Sequence, residues 1–333
     1  MIAARENIRL QKIITFIAVV LFLAKLTAWE LTGSLAILTD ALESIVNIVS
    51  GLLGWYSLYI SAKPKDVDHP YGHGKIEFIS AAVEGTLITA TGFFIIYLSA
   101  ISFFHPHEVA KLDYGMILLG ATGLVNYAAG VVCVKTGVKN NSLPLIAGGK
   151  HLKTDTYSTI GILAGLVLIY FTKLQIFDSI IACIVALIII FTGYKIVRTS
   201  IAGIMDEADL KLLNNLVDVL DKNRRENWID LHNLRIIKYG STLHCDCHLT
   251  VPWFLNVSEA HTEIEALGTL IRNGFGGAVE LFVHTDGCKE FSCRICSKQN
   301  CLVRQHDFEK KIEWTIKNIS KDSKHKILTD KEE

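Results

Sequence analysis

Residues 33–47 read Gly33-Ser-Leu-Ala-Ile-Leu-Thr-Asp40-Ala-Leu-Glu43-Ser-Ile-Val-Asn47, and the apolar run they open continues to residue 60. Crossing a bilayer takes about 20 predominantly apolar residues, so this stretch is long enough. It nevertheless carries Asp40, Glu43 and Asn47 in its interior, where ionisable groups are costly and face a bundle interior rather than lipid. Glu43 and Asn47 are four apart and share one helical face. Comparable apolar runs occur at 10–31, 77–103, 112–134, 145–172 and 176–199. The first is too long for a secretory signal peptide and is followed too soon by another span. The sequence therefore predicts six transmembrane helices.

The remainder of the chain is different. Overall there are 333 residues, 33 Lys+Arg against 33 Asp+Glu, and half of all residues are hydrophobic. Mean hydropathy is +0.36 and the pI about 7.2. A general nucleic-acid binder needs a basic surplus and a disordered chain needs low hydrophobicity, so both classes are excluded. Residues 1–205 hold about 27 charged side chains and 206–333 about 39, the contrast between a membrane part and a soluble part. The expected domains are 1–205 in the membrane, 206–287 as a soluble domain, and 288–333 as a Cys-rich segment with a short helix and a mobile tail.

Loop charges orient the spans, because Lys and Arg are retained on the cytoplasmic side. Arg5, Arg9 and Lys12 precede the first span, Lys63, Lys65 and Lys75 follow the second, and Lys135, Lys139 and Lys150 follow the fourth. Lys195 and Arg198 end the sixth, whereas the opposite loops offer only Lys111 and Lys173. Both termini are expected in the cytoplasm, in a cell (inner or plasma) membrane.

In the fifth span His151 and Asp155 repeat the four-residue spacing of Glu43 and Asn47. Facing each other, the two pairs would offer imidazole nitrogen and side-chain oxygen to a first-row divalent ion such as Zn²⁺. A single such pair would more simply be helix–helix hydrogen bonding; two at matched depth favour a metal site. Asp40, one turn earlier, could be a supporting carboxylate. Lys25, Glu30, Glu84 and Asn126 are expected near helix ends or in interhelical contacts, without chemistry. The loop 64–75 gathers Asp66, Asp68, His69 and His73, with Gly72 and Gly74 permitting tight turns around one ion.

The first stretch, together with Asp66-Val-Asp68-His69-Pro-Tyr-Gly72-His73-Gly74-Lys75-Ile-Glu77 and His151-Leu-Lys-Thr-Asp155, resembles the cation diffusion facilitator family over roughly residues 10–290. The resemblance implies a homodimeric exporter of divalent metal, commonly in exchange for protons. It places a transport site at Glu43, Asn47, His151 and Asp155, and a loop site at Asp66, His69 and His73. Lys75 would pair with Asp206 and interlock two protomers. Two positions depart from the pattern: the family usually has Asp or His where this chain has Glu43, and Asp where it has Asn47, and with Asn47 the site loses a negative charge and a proton-exchangeable group.

In the second part, helical apolar spacing over 207–222 is followed by strand-like runs at 231–239 and 241–251, a helix at 257–273 and a strand at 278–284. That order, αββαβ, predicts a ferredoxin-like α+β domain. Along 241–251, Leu243, Cys245, Cys247, Leu249 and Val251 alternate with His244, Asp246, His248 and Thr250. Cys245 and Cys247 read as buried packing residues, as do Cys133 and Cys183 in the spans, while the His face is open for chemistry. The resemblance implies a further metal site at the dimer interface, with His232, His248, His261, His284 and Asp286 at matching positions. His244 is left as a neighbour.

Beyond the family's usual core lies Cys288-x4-Cys293-x2-Cys296-x4-Cys301, with His306 further on. In a reducing compartment four clustered cysteines are not expected to form disulfides, and they suit a tetrahedral structural zinc site. Their spacings fit neither common ferredoxin pattern. Residues 308–319 predict a short amphipathic helix and the Lys-rich end a solvated tail. The function expected is a non-enzymatic exporter of divalent metal, zinc foremost, with iron, cobalt, cadmium or manganese as other cargo. A membrane metal sensor or buffer is the alternative. A metal hydrolase would need a His-Glu-x-x-His helix or similar signature, which the sequence lacks.

Overall fold

The structure, a computed structural model, describes residues 2–104, 112–140, 142–174, 176–240, 242–275 and 279–327. The chain divides into two compact units, Met1–Met205 and Asp206–Glu333. Lys111 and the end of the tail lie outside the described residues.

The first unit holds six long apolar helices: α1 (Ile2–Thr32), α2 (Leu35–Ser61), α3 (Ile76–Phe104), α4 (Leu112–Lys139), α5 (Leu143–Thr172) and α6 (Ile176–Ile204). Each is long and apolar enough to cross a membrane. The α1–α2 break is local chemistry. Gly33 takes the left-handed φ of +68° and Ser34 caps α2, its hydroxyl accepting from the Ile37 N–H. Asp178 of α6 adds a carboxylate at the same helix start, accepting from Ser34 Oγ at 2.6 Å and from the Leu35 N–H at 2.6 Å. An anion at a helix N-terminus satisfies otherwise unpaired amides and complements the helix dipole.

Helix contacts rely on small residues. A Cβ on Gly193 would lie 2.8 Å from the Gly85 carbonyl, joining α6 to α3; one on Gly149 would lie 2.9 Å from the Gly130 carbonyl, joining α5 to α4. Backbones meet that closely only where side chains are absent. Ile37, Ile88, Ile95, Leu119, Ile162, Leu166 and Ile189 fill the interior, while Phe16, Phe93, Phe171 and Phe191 point outward, as a lipid-facing surface requires.

The second unit runs α7 (Leu210–Lys222), β1 (Asp230–Tyr239), β2 (Thr242–Val251), α8 (Val257–Phe275) and β3 (Val279–Gly287). The sheet order is β1-β2-β3, with β1 antiparallel and β3 parallel to the central β2. This is the expected αββαβ arrangement. Leu213, Leu216 and Leu220 of α7 and Leu267 and Ile271 of α8 pack on one sheet face against Cys245, Cys247 and Leu249. The two cysteines are buried packing residues, and burial pushes the Cys245 thiol up to about 12.

Two expectations fail here. The amphipathic helix over 308–319 is reduced to α9 (Ile316–Ile319), and the chain before it is not helical. Nor is the Lys-rich end solvated throughout: residues 320–323 are exposed, but Lys324 and His325 are only 17% and 11% exposed. Trp314 and Ile319 are buried in the domain core, because two large apolar side chains bury more surface by packing on the sheet domain than along an isolated short helix. Arg224 secures the return: its guanidinium donates to the carbonyls of Trp228 (2.9 Å), Ile312 (2.8 Å) and Ile229, and stacks 4.2 Å from the Trp314 ring centroid.

Candidate metal centres

Helices α2 and α5 bring Glu43, His151 and Asp155 together. Each offers a ligand atom within 4.8 Å of the others, and all three residues are buried at 5% exposure or less. His151 Nδ1 lies 3.3 Å from Asp155 Oδ1. Glu43 Oε2, Asn47 Oδ1, Asp155 Oδ1 and both imidazole nitrogens of His151 are buried without a hydrogen-bond partner. Buried polar atoms are ordinarily satisfied, so this set of lone pairs fits a divalent cation. Asn47 is in the group but plays a second part: its Nδ2 donates to Asp155 Oδ2 at 2.6 Å. The amide thereby orients one carboxylate, while its own oxygen is buried without a hydrogen-bond partner. A cavity of about 590 Å³ reaches Asn47 and His151 and is also lined by Glu77 and Glu84.

Lys25 makes an interhelical contact, one of the two places expected for it, and Glu84 lines the cavity. Lys25 is 1% exposed and its Nζ lies 2.8 Å from Asp40 Oδ2, Asp40 being fully buried. Asp40 Oδ1 accepts from Thr159 Oγ1 at 3.0 Å, one turn beyond Asp155. Asp40 is thus committed to a lysine and a threonine. An ionisable residue in an apolar span was the available signal for Lys25; its place within the run 10–31 does not say what it faces.

The loop site assembles as well. His69 Nδ1 lies 3.1 Å from Asp66 Oδ1 and His73 Nε2 lies 3.3 Å from Asp66 Oδ2, with the two rings 4.4 Å apart. Gly72, at φ +95°, makes the turn that returns His73 toward Asp66. The His69 backbone N–H holds the Asp66 carboxyl below its ordinary pKa. Asp68 is exposed and outside the cluster. Lys75 Nζ donates to the Ile204 carbonyl at 3.4 Å.

In the second unit strand register does the assembly. His232 of β1 pairs with His248 of β2, and His248 pairs with His284 of β3, so three imidazoles form a row across the sheet. Ring centroids are 5.0 Å and 4.7 Å apart. Asp286, two residues beyond His284, closes the group: its Oδ2 lies 3.7 Å from His232 Nε2 and 3.6 Å from His248 Nδ1. His232, His248 and Asp286 meet the spacing for one ion, with exposed His284 beside them. Burial lowers the His232 pKa against the pull of Asp230, favouring the neutral ring that can ligate. His261 stands apart on α8, exposed beside Glu265. The His face is less open than expected: His244 is buried, against the Tyr239 ring and 3.4 Å from Glu280, and Thr250 is buried too.

The tail covers this centre. Lys324 Nζ lies 3.1 Å from Asp286 Oδ1, the His325 N–H donates to Asp230 Oδ2 at 2.9 Å, and the Lys321 carbonyl accepts from the Asn233 N–H at 2.8 Å. No spacing rule connects residue 324 with 286, and the sequence reading missed both Lys324 and His325.

All four cysteines of the 288–301 segment are reduced and line one small cavity. Arg304 ties the loop together through the carbonyls of Cys293 (2.9 Å), Cys296 (2.9 Å) and Lys298 (2.7 Å). Burial raises the thiols of Cys288 and Cys296. Their sulfurs are not among the groups whose ligand atoms lie within 4.8 Å of one another among the described residues.

The two units have separate counterparts among known proteins. The cation efflux transmembrane domain matches residues 12–205, and the cytoplasmic domain of cation efflux proteins matches 213–288. An uncharacterized transporter of Synechocystis is 29% identical over 254 residues, covering 76% of this chain and 82% of the relative. The cation-efflux pump FieF of Shewanella oneidensis is 24% identical over 272 residues, covering 81% and 90%. The manganese efflux system protein MneP of Bacillus subtilis is 26% identical over 299 residues, covering 86% and 98%. Matched in order through both units, the chain is an integral membrane protein that belongs to the cation diffusion facilitator family of metal efflux transporters.

Proposed function

We propose that the chain exports a divalent metal, zinc foremost, through Glu43, Asn47, His151 and Asp155, by alternating access in exchange for protons. One observation carries this reading: nitrogen and oxygen ligand atoms from α2 and α5 converge in a buried cluster, and a largely apolar cavity reaches it at Asn47 and His151. Imidazole with two carboxylates suits Zn²⁺, and iron, cobalt, cadmium and manganese are the other candidates. The Bacillus relative, a manganese efflux system protein, keeps manganese among them. Glu43, His151 and Asp155 take the ion deprotonated, the helices rock, and outside protons compete for the same atoms and release it.

The remaining assignments belong to the same reading. Both termini face the cytoplasm of a cell membrane, and the transporter is a homodimer interlocked by Lys75 and Asp206. The centre at His232, His248, His284 and Asp286, with His261, senses cytoplasmic metal at the dimer interface. Asp66, His69 and His73 hold a metal in the loop. Cys288, Cys293, Cys296 and Cys301 close around a structural zinc.

Metal uptake into proteoliposomes under a proton gradient tests the transport site. Asp155→Ala is expected to abolish it, and undiminished flux would remove the assignment. A sensor or buffer without transport is the second reading, favoured by one contact: Asn47 uses an Asp155 oxygen as its acceptor. If wild-type flux is zero and Asn47→Asp creates it, that reading stands.

A further inference from the structure

Lys25 sits on α1, two turns from its end, and its charge is buried with that of Asp40 on α2. Removing two charges from water is costly, and an apolar pair of similar volume would pack there without that penalty. What distinguishes the place is its neighbourhood. Asp40 precedes Glu43 by three residues on the same helix, and Thr159, which holds the other Asp40 oxygen, follows Asp155 by one turn. The Lys25 ammonium is within electrostatic reach of Asp155 and Glu43 as well. Three buried carboxylates and one buried ammonium therefore lie within electrostatic reach of one another, and two of those carboxylates, Glu43 and Asp155, stand with His151.

We infer that Lys25 sets the charge of the membrane metal site, and with it how tightly the cargo is held. Its ammonium binds Asp40 and keeps that carboxylate out of the coordination sphere. Glu43 and Asp155 remain as the anionic ligands, and a single divalent cation neutralises them. Asn47 belongs to the same balance: an aspartate there would add a third negative charge, as would an unpaired Asp40. When the cargo leaves, the tethered ammonium stays beside the emptied carboxylates and offsets part of their repulsion, so fewer outside protons are needed to return the carrier. The inference rests on the reading of Glu43, His151 and Asp155 as the transport site.

The test is metal affinity across a charge cycle. Full-length protein in nanodiscs, with the other centres disabled by Asp66→Ala, Asp286→Ala and Cys293→Ala/Cys296→Ala, is titrated with Zn²⁺ against a fluorescent chelator. Lys25→Met frees Asp40 and is expected to tighten binding about tenfold or more while slowing flux. Asp40→Asn leaves the ammonium unbalanced and is expected to weaken binding by a similar factor. The double variant restores the original charge and is expected within about threefold of the parent. Unchanged or weaker binding in Lys25→Met overturns the inference, as does a double variant that matches Lys25→Met. Should Lys25→Met fail to fold, the double variant decides alone, because a large loss of affinity there would make one of the pair a direct ligand. Asp155→Ala in the same background separates the two readings: if it binds zinc as before, the transport-site reading has failed, whatever Lys25 does.

Discussion

Lys324, near the end of the described chain, places its ammonium 3.1 Å from an oxygen of Asp286, one of the ligand-type groups of the sheet centre. A cation already stands where a metal would be drawn. Both side chains are only partly exposed, so the contact is weakly screened, although a pair at a domain surface contributes at most about 1 kcal/mol. Lys324→Met is accordingly expected to tighten Zn²⁺ binding at His232, His248 and Asp286 by about threefold to fivefold. Titration in an Asp155→Ala, Asp66→Ala background isolates the effect, and hydrogen exchange over 321–327 should rise when metal is added to the wild type.

Arg224 is expected to hold the tail more firmly than any single apolar contact. It serves three carbonyls and faces Trp314, with burial lowering its pKa to about 10, still charged at neutral pH. Arg224→Ala leaves those acceptors without their donor, at about 1–3 kcal/mol for each that stays dry. Loss of exchange protection over 308–327, with the strands of the sheet unaffected, is the outcome to look for.

Asp209 gives a pH-dependent test. It caps α7 by accepting from the Lys211 and Leu212 N–H groups, and Lys238 lies 2.7 Å from its Oδ2. The hydrogen bond from Lys238 is the largest cause of its lowered pKa. A carboxyl lowered in the folded state stabilises it fully above the unfolded value near 3.9, and the contribution is lost as pH falls through the lower folded value. Asp209→Ala should therefore cost about 1 kcal/mol of α7 protection at pH 7, and progressively less below pH 4.

Close helix contacts predict intolerance in the membrane unit. Gly193→Leu would drive a side chain into the Gly85 carbonyl, already 2.8 Å from an added Cβ. Overpacking of this kind costs about 1–3 kcal/mol or more when only backbone can yield. The variant should lose its monodisperse elution and melt at lower temperature than Gly161→Leu, whose Cβ meets nothing within 4 Å.

The cysteine segment is tested by composition. Elemental analysis of wild type against Cys293→Ala/Cys296→Ala should show one zinc fewer per chain in the variant, the proposed site losing two of its four cysteine ligands. Equal zinc content would leave the segment a packed loop held by Arg304.

Much of the fold was readable from periodicity. Six apolar runs of bilayer length yield α1–α6 because, without water, a spanning chain must satisfy its own amides. Alternation along 241–251 identified Cys245 and Cys247 as interior. Spacing of four put Glu43 with Asn47 and His151 with Asp155 on common faces. The segment 308–319 was misread as one helix because it has helical spacing, yet Trp314 and Ile319 gain more from the sheet domain's core.

What the sequence alone determined, then, was which faces exist and which donor atoms each carries, since both depend on backbone periods that repeat locally. Which face meets which was settled only by tertiary packing. Lys25 reaches Asp40, His232 joins His248 and Asp286, and Lys324 covers the last of these. Each of these contacts depends on helix rotation, strand register or the path of a returning chain. Those are set by the sum of many weak packing contacts across the fold, and no local pattern contains that sum.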